Sequence, residues 1–154
     1  MDNGKSFIRA HSSVGDAAVD GLLNGVIAGS VMALYIMLIG VTIGTSLAAT
    51  LNAFDLGQGT SPVRGALIHL AIAAIYGIMF SLIFRLIEQH RSIGQSGSII
   101  IGLVYGLVLW SIAQVAVTAG INVGLGSLPA THLAVAHVIY GVTLGWLASR
   151  VRAE

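Results

Sequence analysis

The chain has 154 residues, of which 56% are hydrophobic and 8% charged, and its mean hydropathy is +0.92. A soluble domain carries roughly 25% charged residues, so this chain lacks the polar surface to cover a water-facing fold. Its net charge of +1 without a basic cluster offers no nucleic-acid face, and the lack of cysteine excludes disulfides, thiolate metal sites and iron–sulfur clusters.

The first twenty residues, MDNGKSFIRAHSSVGDAAVD, are polar and mixed in sign. They lack the short apolar core of a signal peptide, so no cleaved leader is expected, and residues 1–20 read as a cytoplasmic N-terminal segment. Beyond it charges become rare: none falls between Asp20 and Asp55, between Arg64 and Arg85, or between Arg91 and Arg150. A charge-free apolar run of about 18 residues reads as a transmembrane helix. Four spans fit, over 21–45, 65–84, 98–119 and 131–149, each near the roughly 20 residues that cross ~30 Å of hydrocarbon. The expected fold is all-α, a single integral membrane domain over 21–150 built as an antiparallel four-helix bundle.

Span one opens DGLLNGVIAGSVMA, which places Gly21, Gly25 and Gly29 four apart on one helix face, with Ala33 extending the row. Lipid tails are as apolar as leucine, so membrane helices gain from close backbone approach, which small residues permit. The stripe is expected to pack within the bundle or against a partner, and Gly40 and Gly44 repeat the spacing. Asp16 and Asp20 stand at the start of span one, where negative charge suits a helix N-terminus. The stretch SLAATLNAFDLGQGTSPVRG follows; its tail is loop chemistry and its start reads as a short interfacial helix.

Spans two, three and four repeat one step: AIYGIMFSL, LVYGLVLWS and VIYGVTLGW. Gly77 precedes Ser81, Gly102 precedes Gly106, and Gly141 precedes Gly145, each at small-xxx-small spacing. The neighbouring Tyr76, Tyr105 and Tyr140 each carry a hydroxyl that needs a partner at membrane depth. Asn24 and Gln114 read as interhelical hydrogen-bonding residues. Spans three and four are separated by GINVGLGSLPAT, whose glycines and proline break a helix.

Basic residues orient the chain. Lys5, Arg9, Arg85, Arg91, Arg150 and Arg152 fall on one side of four crossings and only Arg64 on the other, so both termini are expected in the cytoplasm of a multi-pass inner-membrane protein.

Three histidines lie in or at the mouth of the spans: His69, His132 and His137. Intramembrane ionisable residues are costly and frequently functional. Two readings stand side by side. Either each histidine hydrogen-bonds a carbonyl or hydroxyl across helices, or His69 and His137 bind a b-type haem or chlorophyll-type pigment, with a metal shared with His132 as a variant. The absence of acidic residues from these spans weakens the metal variant, and no cofactor or metal is the leading expectation. His11 and His90 lie in polar surroundings. No nucleophile elbow, phosphate loop, zincin motif or intramembrane carboxylate pair is present, so no catalytic residue is assigned.

Three stretches, GLVYGLVLW, GINVGLGSLP and HVIYGVTLGWL, resemble a family of small four-helix bacterial membrane proteins, a domain of unknown function. The resemblance covers about residues 21–148 and is carried by His137, Tyr140, Gly141 and Gly145, then Tyr105, Gly106 and Trp110. Span two departs from the pattern: Ala73 stands where the His-x-x-Tyr-Gly spacing would put a histidine, and His69 lies one turn earlier. The resemblance implies a fold and no activity. By analogy with supernumerary subunits, the expected role is a non-catalytic accessory subunit of a respiratory or photosynthetic electron-transfer complex, joined to other integral membrane subunits and lipid through its glycine faces. The alternatives are a haem- or pigment-binding electron carrier using His69 and His137, and a small homo-oligomeric transporter or channel.

Overall fold

The computed structural model describes residues 13–55, 61–120 and 128–150. Lys5, Arg9, His11, Arg152 and most of the glycine-rich link after span three lie outside these residues. Five helices follow in order: α1 (Val14–Thr42), α2 (Leu47–Asn52), α3 (Pro62–Glu88), α4 (Gln95–Thr118) and α5 (Ala130–Arg150). All but α2 are long and apolar enough to cross a membrane, and no strand occurs among the described residues. The four expected spans are therefore four helices, and α2 stands where a short interfacial helix was expected.

Helix α1 starts earlier than the charge-free run suggests, at Val14 rather than Gly21. The cause is a capping box: the Ser13 hydroxyl accepts from the Asp16 amide at 3.0 Å, and the Ser13 amide donates to the Asp16 carboxylate at 2.7 Å. These bonds satisfy N–H groups that a helix start leaves orphaned. At its other end the Thr45 amide donates to the Gly40 carbonyl at 2.8 Å and the Gly44 amide to Val41 at 3.1 Å. This pattern needs a left-handed residue at Gly44, whose φ is +83°. Gly44 is thus a helix stop, although it shares the four-residue spacing of the packing glycines.

Helix α1 packs along α3, and α4 along α5; α1 also touches α5, whereas α3 meets α4 and α5 at few points. Helix α2 wedges against the ends of α1 and α3. Gly40 makes room for Thr50, and Gly65 for the Leu51 carbonyl. The core between the two helix pairs holds Met32, Ile36, Phe80, Leu109, Leu133 and Leu144. Outside it the long helices expose Leu34 (63%), Leu67 (63%) and Val115 (67%). Helices apolar on their outward faces fit a lipid environment, where every backbone polar group must be satisfied internally. Hydroxyls obey the same rule: Ser30, Ser111 and Thr143 donate to carbonyls one turn back in their own helices, at 2.8, 3.0 and 2.7 Å.

Candidate functional site

The glycines set how closely each pair approaches. A Cβ built on Gly21 would lie 2.7 Å from the Gly77 carbonyl oxygen and 2.7 Å from the Ser81 Cβ, and one on Gly25 would lie 2.5 Å from the Ala73 carbonyl oxygen. Gly29 abuts Ala73 one turn further on. In the second pair Gly102 meets the backbone of Gly141 and Gly145, and Gly106 meets that of His137 and Gly141. Along each contact the residue numbers rise on one helix as they fall on the other, so both pairs are antiparallel. These glycine faces are taken up within the chain, so they are not a free surface for another subunit.

The tyrosine beside each glycine reaches a different neighbour. While Gly106 and Gly141 bring α4 and α5 together, the Tyr105 hydroxyl donates to the Tyr76 carbonyl at 2.8 Å and the Tyr140 hydroxyl to the Ala73 carbonyl at 2.7 Å. Successive helical residues point about 100° apart, so one Tyr–Gly step serves two interfaces. The two hydroxyls land three residues apart on α3 and join it to a pair it otherwise barely touches. Tyr140, only 2% exposed, is among the most enclosed side chains.

Because α3 stands off from α4, a cavity of about 320 Å³ remains between them. Helix α3 contributes His69, Ile72, Ala73 and Tyr76; α5 contributes Leu133, His137 and Tyr140. Met32 and Ile36 of α1 close one side, Phe54 another, and α4 supplies small residues, Ala113 and Ala116. Two lining residues on opposite walls, Ile72 and Ile112, are 39% and 52% exposed. The cavity therefore opens sideways, between α3 and α4, at the lipid-facing surface.

His69 and His137 line this one cavity from different helices. The His69 Nε2 lies 3.0 Å from the Gly29 carbonyl oxygen, and the His137 Nδ1 2.8 Å from that of Leu133. A carbonyl only accepts, so each of these nitrogens carries the proton and donates; in the neutral ring the other nitrogen is then an acceptor. The Phe54 ring packs against the His69 ring, with centroids 4.3 Å apart and planes tilted by 32°. Gly29 matters twice: its missing side chain admits Ala73, and its carbonyl accepts from the His69 imidazole. At position 73, where the histidine spacing of the other span would fall, Ala73 is 5% exposed and packs against Gly29.

His132 does not join the cavity. Its Nδ1 lies 3.1 Å from the Tyr35 hydroxyl, across the α1–α5 contact. Among the described residues no three histidine or acidic side chains gather as metal ligands. Asn24 is half-buried and its side chain bonds to no other described residue. Gln114 and Trp110, one turn apart on α4, each bury a nitrogen donor that no described group accepts from. The sequence did not single out Phe54, Ile72, Met32 or Ala113 as site residues. In a membrane helix a cavity wall and a lipid-facing surface draw on the same residue types, so no local signal distinguishes them.

With this geometry the chain matches, over residues 12–154, a family described as a family of unknown function, DUF6789, and it belongs to that family. No curated protein and no solved structure matches it.

Proposed function

We propose that this member of a family of unknown function is a non-catalytic membrane protein that holds a small, largely apolar molecule in the cavity between α3 and α4. The observation that carries the reading is the convergence of His69 from α3 and His137 from α5 on one largely apolar cavity that is open at the apolar outer surface. Ligand sites are mostly apolar concavities with a few convergent polar groups, and intramembrane ionisable residues are costly and frequently functional. As an accessory subunit of an electron-transfer assembly, the protein would shelter such a molecule beside its larger partner. With the glycine faces occupied, contact with that partner falls to the apolar outer faces of the helices.

We place the chain in the inner membrane with both termini in the cytoplasm, on the basic residues near the span ends. Arg64, the exception, is paired with Asp55: its Nη2 and Nε lie 2.6 and 2.8 Å from the two carboxylate oxygens. This pairing sharpens the asymmetry.

One observation favours a second reading, haem or pigment ligation by His137. A ring whose Nδ1–H is held by a backbone carbonyl is the usual arrangement of a metal-ligating imidazole. Against it, about 320 Å³ is roughly twice a ~150 Å³ cavity that takes up benzene, room for one substituted ring rather than for four pyrroles. Purification in mild detergent separates these readings. Mass spectrometry of the extract should find a stoichiometric small lipophile that is lost in Ala113→Phe, and the absorption spectrum should lack a Soret band. An empty extract and unchanged behaviour in Ala113→Phe would refute ligand holding; a Soret band lost in His137→Leu would establish the second reading.

A further inference from the structure

Resting on the reading of the cavity as a ligand site, the geometry points to a ligand whose head is a single hydroxylated aromatic ring, of the hydroquinone or phenol class, drawn sideways from the bilayer between α3 and α4. Three features of the wall lead there.

The first is its hydrogen-bonding polarity. Four of the lining residues carry polar side-chain atoms: His69, Tyr76, His137 and Tyr140. Both imidazoles have committed their N–H to backbone carbonyls, at 3.0 and 2.8 Å. The Tyr140 hydroxyl proton is likewise committed, to Ala73 at 2.7 Å. What these three groups retain is a ring nitrogen on each histidine and a phenolic oxygen, and all three are acceptors. Tyr76 alone keeps a hydroxyl proton that no other described group takes. An acceptor-rich wall in a low-dielectric setting favours a ligand that donates, because an acceptor left unmatched beside another acceptor forfeits its hydrogen bond.

The second feature is shape. About 320 Å³ suits one ring with substituents. The walls are also rich in rings: Phe54 packs at a tilt against His69 at 4.3 Å, and Tyr76 and Tyr140 line the same cavity. Aromatic walls favour offset or edge-on packing with another ring over an aliphatic chain. The third is the entrance: Ile72 and Ile112, lining residues on facing helices, are both open to the surface. A ligand with an apolar tail keeps that tail in lipid while its ring enters.

The test uses the full chain in phosphatidylcholine nanodiscs, with three probes of near-equal shape titrated under argon and corrected for partition into empty discs. The probes are a short-chain hydroquinone, its dimethyl ether and the corresponding quinone. The hydroquinone should bind about 5- to 10-fold tighter than the ether, the gain expected for one or two donated hydrogen bonds, and tighter than the quinone, which donates none. His137→Leu should remove that preference while leaving ether binding in place, and Ala113→Phe, which fills the cavity from α4, should abolish binding of all three. Equal affinity for the three probes, or tighter binding of the quinone, overturns the donor preference and leaves the cavity reading standing. Failure of every probe to bind, or binding unchanged in Ala113→Phe, overturns the cavity reading itself. The comparison among probes on the unmutated chain decides the matter even if His137→Leu does not fold.

Discussion

At residue scale the Tyr–Gly step is a division of labour between neighbours. Tyr140 sends its hydroxyl to Ala73 at 2.7 Å while Gly141 lies against the Gly102 backbone. Replacing Tyr140 with Phe keeps the ring and deletes one buried hydrogen bond. The expected cost is about 1 kcal/mol, at the upper end for membrane interiors, read as a shift in the SDS-unfolding midpoint. Tyr105→Phe should act alike through the Tyr76 carbonyl. Because both bonds fall on one side of α3, the double variant should free α3 more than the two single costs together imply. A cavity volume or hydrogen-exchange measurement on α3 would register this. The residues that need partners were legible in the sequence, because an intramembrane hydroxyl or imidazole stands out against apolar surroundings. Their partners were not legible: they are backbone carbonyls, which every residue carries.

At the scale of elements, glycines with the same spacing do different work. Gly141 holds α5 against α4, and any side chain there meets the Gly102 backbone. Gly44 meets nothing within 4 Å, yet its φ of +83° is one that side-chain-bearing residues seldom adopt. Gly44→Ala should therefore cost about 1 kcal/mol by backbone strain alone and leave helix packing intact. Gly141→Val should force α4 and α5 apart and cost about 3 kcal/mol or prevent assembly of the pair. Cysteines placed across the α4–α5 contact should then lose their crosslinking in Gly141→Val and keep it in Gly44→Ala. Unaltered crosslinking in Gly141→Val would contradict the packing described here. The early start of α1 makes a related point. The run SVGD held the signal, a serine with an acidic residue three places on, but the charges at Asp16 and Asp20 ended the apolar window before it.

At the scale of the whole molecule, the chain is two antiparallel helix pairs joined along α1 and α5 and left ajar between α3 and α4. Orientation is open to a clean test because the chain has no cysteine. Single cysteines at Val63, near the start of α3, and at Gln89, at its end, should behave oppositely. In intact cells a membrane-impermeant maleimide is expected to label Val63→Cys and to spare Gln89→Cys, with the pattern reversing in inverted vesicles. The opposite pattern would place both termini outside and contradict the charge-based orientation.

The sequence by itself determined which four stretches of the described residues form helices long and apolar enough to cross a membrane. Hydrocarbon tolerates neither charge nor unsatisfied backbone, so charge-free runs of helical length leave only one kind of structure. It also marked the few polar groups that such a structure must accommodate. Only the tertiary structure decided which of these meet. His69 and His137 share a cavity while His132 turns to Tyr35, and Gly29 serves His69 as well as Ala73. The physical reason is that lipid and neighbouring helix are equally apolar, so composition does not reveal which face of a span will pack. That choice falls to the register in which small residues let two backbones approach, and the space left over between α3 and α4 follows from it.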